Sequence, residues 1–318
     1  SAAAPGAFRL GGSANSQQLE KQSGIVYANA CASLFLAVLR QPDWGPFHTS
    51  GPAGFFNAAA RSVSGGPVII ADAPGEHNQE VLDKLMLADG SLLQPTGSAR
   101  PTQDCLFEDP RTDDVVLKIC NSNTLGHIIG VFNCQYHEQK QKRHFVAGTI
   151  RPNDIPGLSG EVFALYSHQA AKLTACRRQQ RVSVWLNDFG FEIITVMPVQ
   201  HGFAAIGLAD RFNSGAAVES VDFADSKHCR VRLRHGGRFV AWAEVEPEAL
   251  IRNDTHFPFE YDRREKKLQA ELPTDGPIEL TIQLGEPAPA EPRPTAMDWT
   301  PYVRDSRRKL VFRLPPTD

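Results

Sequence analysis

The chain has 318 residues, 42% of them hydrophobic, and a formal net charge of −3. That length allows one large or two ordinary domains, and that apolar content excludes wholesale disorder. The small net charge, with Lys and Arg scattered in short runs, gives no field for nucleic acid, and no apolar run approaches a membrane span.

Residues 16–40 read as a helix whose second half is largely buried, carrying Ile25, Val26, Ala30, Leu34, Leu36 and Val38 and ended by Gln41-Pro42. Pro42-Asp43-Trp44 reads as a strand ending. Residues 53–63 form a second helix, stopped by Gly65-Gly66-Pro67. Residues 68–71 are a short, continuously apolar strand closed by Asp72-Ala73-Pro74-Gly75, and residues 77–87 a third helix ended by Asp89-Gly90. Strand, helix, strand with polar residues at the strand ends is the grammar of a β/α barrel.

From about residue 92 short β-branched runs replace the helices, at 115–119, 127–133, 162–166, 182–185, 191–198, 217–221, 229–233, 239–245 and 278–284. Turn residues separate them, which is the pattern of an antiparallel β-sandwich. Residues 286–294 alternate Pro with Ala, Glu and Arg and read as a linker, followed by a tail with Trp299, Tyr302 and Leu310-Val311-Phe312 that has enough apolar character to dock. The expected division is 1–91 partial barrel, 92–285 sandwich, 286–318 linker and docking tail. The six cysteines, at 31, 105, 120, 134, 176 and 229, contain no Cys-x-x-Cys pair, so a zinc ribbon is not expected and a reducing intracellular compartment is favoured. No phosphate loop, Gly-x-Ser-x-Gly or His-Glu-x-x-His occurs, so no cofactor or metal is expected.

Pro42-Asp43-Trp44-Gly45-Pro46-Phe47, then Ala58-Ala59-Ala60-Arg61-Ser62-Val63-Ser64-Gly65-Gly66-Pro67 through Asp72-x-Pro74-Gly75-x-His77, resembles the raffinose synthase, seed imbibition protein and alkaline α-galactosidase group of glycoside hydrolase family thirty-six. Pro101-Thr102-Gln103-Asp104-Cys105-Leu106-Phe107-Glu108-Asp109-Pro110 and Leu117-Lys118-Ile119-Cys120-Asn121 continue the likeness, which runs from about residue 9 to 235. The resemblance implies the C-terminal part of a β/α (TIM) barrel followed by an antiparallel β-sandwich. It also implies absences. The strand that carries the family's nucleophile lies outside this chain, and the family's acid/base Asp-Asp pair aligns with Gly12 and Ser13. The second Asp of Pro-Asp-Trp-Asp is Gly45, and an Arg of the family is Gln103.

No residue therefore inherits a catalytic role. Vestigial sugar contacts are expected at Asp43, Trp44, Arg61 and Asp72, and each has a second reading. Trp44 either stacks a sugar or packs; Arg61 either meets a ligand or holds a structural ion pair; Asp72 either binds hydroxyls or caps a turn. His77 reads as helix-start packing rather than catalysis. The expectation is a glycoside-hydrolase-derived, catalytically inactive subunit with a structural role in a larger complex. The alternative is one chain of a split α-galactoside-processing enzyme whose nucleophile lies on a partner. Either way another protein chain is expected to cover the open barrel, residues 1–90, because an unclosed parallel edge and wet apolar helix faces are unstable.

Overall fold

The computed structural model describes residues 7–9, 19–135 and 145–285. Gly12, Ser13 and the linker and tail at 286–318 lie outside the described residues.

Two helices and two short stretches of parallel pairing make up the first part. Strand Ala7–Arg9 pairs in parallel with Gln41–Asp43, and Phe47 forms an isolated parallel bridge to Ile70. Helix α1, Leu19–Leu36, joins the two strands of the first pair, and helix α2, Gly54–Ser64, joins the two sides of the bridge. The expected strand at 68–71 is thus reduced to one bridge, held by Phe47 N–H to Ile69 O (3.1 Å) and Ala71 N–H to Phe47 O (2.9 Å). The expected third helix is also shorter. Helix α3 is Gln79–Asp83, started by the Asn78 side chain accepting from Glu80 N–H at 3.0 Å. Beyond it the chain doubles back, with Leu87 N–H to Ser91 O (2.8 Å) and Leu93 N–H to Leu85 O (3.0 Å).

Helix α2 ends where its sequence says it must. Gly65 adopts φ 74°, a left-handed C-cap, and a Cβ there would sit 1.8 Å from Gly97 O. A Cβ on Gly66 would sit 2.2 Å from Pro42 O. The Gly-Gly step is thus where α2 passes between the Pro42 strand and the 97–99 segment. Asn121 then ties both together, its Nδ2 donating to Val63 O (2.7 Å) and Gly97 O (2.9 Å).

Every strand pairing after residue 99 is antiparallel among the described residues. A six-stranded sheet runs in the order Arg100–Pro101, Leu117–Ser122, His127–Phe132, Phe191–Pro198, Val162–Ser167, Lys172–Arg177. Alternation sends Leu117, Ile119, Ile128 and Ile193 to one face and Cys120, Ile129, Ile194 and Val196 to the other. The first face packs on Val26 and Ala30 of α1 and Phe56, Ala60 and Val63 of α2. Phe56 is the anchor, stacked on Phe189 at 4.1 Å and edge-on to Phe132 at 5.2 Å. The second face is covered by a two-stranded ribbon, Val146–Ile150 with Val182–Leu186.

A four-stranded sheet (Phe203–Leu208, Arg238–Ala243, Lys267–Glu271, Glu260–Asp262) lies against a five-stranded one (Val218–Phe223, His228–Leu233, Ile278–Gln283, Ala249–Arg252, Thr255–His256). They share one core that includes Phe203, Phe239, Leu268, Val231, Leu280 and Ile282. The outer face of the four-stranded sheet, through Ile206, Val240 and Trp242, meets Ala164, Tyr166 and Met197 of the six-stranded sheet. The described residues are mostly sheet, with the α-helices confined to the first part of the chain.

Candidate functional site

The expected site residues gather at the carboxyl ends of the parallel-paired segments. Asp43 ends the strand Gln41–Asp43, is fully buried, and accepts the Gly45 backbone N–H at 2.8 Å. Trp44 is fully buried. Its indole Nε1 donates to Ser33 Oγ at 3.3 Å, and its carbonyl accepts from Asn29 Nδ2 at 3.3 Å. Both faces of the ring are therefore among protein atoms, with none left to meet a ligand.

Arg61 lies on α2 and is 1% exposed. Its NH1 donates to Asn57 Oδ1 at 2.6 Å, and its NH2 donates to the carbonyls of Trp44 (2.8 Å) and Gly45 (3.3 Å). The guanidinium also stands over the Phe47 ring, 5.2 Å from its centroid. Burial pushes its pKa down to about 10, against the opposing pull of Asp43, and it remains a cation at neutral pH. Asn57 passes the network on, donating from Nδ2 to Gln22 Oε1 at 2.9 Å. Asn29 and Arg61 thus clamp the Trp44-Gly45 backbone from two helices, with Asn57 and Gln22 behind Arg61 and Ser33 on the indole.

Asp72 has a different set of partners. Its Oδ2 accepts from Thr49 N–H (2.8 Å) and Thr49 Oγ1 (2.7 Å), and its Oδ1 from Ser50 N–H (3.2 Å) and Ser50 Oγ (2.8 Å). His48 Nδ1 is 3.6 Å from Oδ1, and the Asp72 side chain is 1% exposed. Burial alone would raise its pKa, but the four hydrogen bonds outweigh it and hold the carboxyl far below the usual carboxylate range. Thr49 Oγ1 in turn accepts from Asn78 N–H at 2.8 Å, so Asp72 pins the 48–51 turn to the start of α3. His77 stands exposed beside this turn.

The structure therefore brings Asp43, Trp44 and Arg61 into one buried cluster and places Asp72 in a second, linked through the 45–50 segment. The partners Asn57, Asn29, Ser33, Thr49 and Ser50 were not singled out from the sequence. Asn57 stands one helical turn before Arg61, a spacing that could have flagged it. Further along, the Pro-Thr-Gln-Asp motif folds on itself: Thr102 Oγ1 donates to Asp104 Oδ1 (2.7 Å), and Lys118 pairs with Asp104 and donates to Thr149 O (2.8 Å). Gln103, where the family pattern has Arg, is exposed.

One more polar cluster resembles a nucleophile and base. His168 Nε2 lies 3.0 Å from Thr195 Oγ1 and 3.5 Å from Ser214 Oγ, and the two hydroxyls are 2.8 Å apart. Ser214 and Thr195 are fully buried and Ser214 donates to Ile206 O at 3.1 Å, so no substrate reaches them. Burial pushes the His168 imidazole down to about 3 despite a hydrogen bond to the Ala209 backbone. Among the described residues no group of three His, Cys, Asp or Glu side chains could hold a metal ion, and no helix is long and apolar enough to cross a membrane.

A sequence profile described as "Raffinose synthase or seed imbibition protein Sip1" matches residues 16–272. The chain belongs to this family. Probable galactinol–sucrose galactosyltransferase 6 of Arabidopsis thaliana is 36% identical over 259 residues, 72% of this chain and 34% of that protein. Galactinol–sucrose galactosyltransferase of Pisum sativum is 33% identical over 275 residues, 78% of this chain and 34% of that protein. Stachyose synthase of Pisum sativum is 29% identical over 255 residues, 72% of this chain and 30% of that protein. The chain spans about a third of the length of the curated relatives it matches. Among solved structures, a GH27 β-L-arabinopyranosidase from Geobacillus stearothermophilus covers 61% of this chain and 45% of its own, at 11% identity and a TM-score of 0.40. Alpha-galactosidase I from Mortierella vinacea covers 54% and 44%, at 12% identity and 0.35. Likenesses this distant carry no argument about the site.

Proposed function

We propose that this member of the raffinose synthase family is a glycosidase-derived subunit without catalysis of its own, serving a structural role in a larger assembly. The observation that carries this reading is the commitment of both strand-end carboxylates to the protein itself. A retaining glycosidase needs two carboxyl groups about 5–5.5 Å apart across the scissile bond, one of them cycling between acid and base. Asp72 is enclosed by four hydrogen bonds and ionised far below neutrality, the opposite of a proton donor. Asp43 is fully buried, and Gly45 has no side chain to offer.

The same reading takes residues 1–91 as the last strand–helix units of an incomplete β/α barrel and 92–285 as its C-terminal antiparallel sandwich. The parallel pairing at 7–9 with 41–43 and at 47 with 70, each spanned by a helix, supports the first part. Further polypeptide then covers the barrel-derived face. The exposed Phe35, Val38 and Leu39 at the end of α1 support that, since burying such side chains is worth about 1.5–3 kcal/mol each.

A split enzyme is the second reading, favoured by the intact clamp of Arg61 on the Trp44-Gly45 strand end, which keeps a barrel-end geometry in place. One experiment separates the two. The purified chain is incubated with galactinol and sucrose, with raffinose, and with an aryl α-galactoside, alone and together with the chains that co-purify with it natively. The structural reading expects no galactosyl release or transfer above buffer in either arm. Turnover that appears only with the partner would establish the split enzyme, and turnover by the chain alone that Asp72→Asn abolishes would overturn both.

A further inference from the structure

We draw no further inference here: the strongest candidate, the cleft of about 280 Å³ between the hairpin turn at 122–127 and the turn at 157–159, has Ser122, Thr124, His127 and Ser159 on its walls, but nothing in the structure shows what ligand would fill it.

Discussion

Replacing Arg61 by alanine removes the hub of the Trp44-Gly45 clamp, and the cost follows from its partners. Two acceptors, Asn57 Oδ1 and Gly45 O, lose their donor inside the protein, while Trp44 O keeps only Asn29 Nδ2. A buried acceptor left unpaired costs about 1–3 kcal/mol. Asp43, also buried, supplies the field that opposes the burial shift of Arg61 and loses that nearby cation, and stripping a buried charge of its counter-charge costs about 3–5 kcal/mol. These contributions overlap, since water or a neighbouring donor reaches some of the vacated groups. The expected loss is about 3–5 kcal/mol, a large part of the about 5–15 kcal/mol that holds an ordinary domain together. Arg61→Lys keeps the charge but not the planar fork that reaches both sides of the strand end, and should lose about 1–3 kcal/mol. Urea unfolding followed by far-UV dichroism measures both. A loss below about 1 kcal/mol for Arg61→Ala with an unchanged slope would refute the structural reasoning and leave ligand contact as the reason for the residue.

Two further outcomes concern pH. His168 is held near pKa 3 in the folded chain against 6.5 when unfolded, so the unfolded state gains a proton first as pH falls. The contribution is complete above about pH 6.5 and is lost toward pH 3, at up to about 1.4 kcal/mol per unit; His168→Gln should flatten the urea midpoint against pH in that window, and an unchanged slope would contradict the assignment. Asp72 is depressed below its ordinary 3.8, so its contribution is present above about pH 4 and lost as pH falls further. Asp72→Asn should lower stability at neutral pH by about 1–3 kcal/mol while removing that part of the acid loss, and a variant as stable as wild type at pH 7 would mean that the 48–51 turn holds without it.

Helix α2 and the antiparallel strands were legible because single residues decide them. Gly65-Gly66-Pro67 can only stop a helix, and His127–Phe132 and Phe191–Pro198 are β-branched runs buried on both faces. The segment after α3 misled for a physical reason. Val81 and Leu85 are buried four apart as a helical pattern requires, but Leu87 is buried two residues on, and Gly90 at φ 83° turns the chain so that Met86 bridges Leu92. Burial was readable there and the periodicity was not. Strand Ala7–Arg9 and the ribbon strand Val146–Ile150 carried no signal strong enough to stand out, being short and defined by their partners. The candidate residues Asp43, Trp44, Arg61 and Asp72 were named by position along the chain, while their contacts depend on partners that only the fold brings near.

Those roles bear on what a family likeness at these positions reports. The Trp44 indole reaches Ser33, its carbonyl reaches Asn29 and Arg61, and Arg61 reaches back to Asn57. Each of these contacts holds the chain to itself, so the shared motif is as well explained by a shared fold as by a shared ligand. A position that departs from the family pattern, such as Gly45, is more informative. Gly45 stands at φ 78°, in the left-handed region. An aspartate held there would be strained by about 1–2 kcal/mol, the kind of cost that persists where function requires it. Glycine removes the strain and the carboxylate together. A chain that still had to present that carboxylate would gain nothing from the exchange. A chain retained for its packing gains stability at the strand end that Arg61 clamps, which is the outcome expected under the structural role we propose.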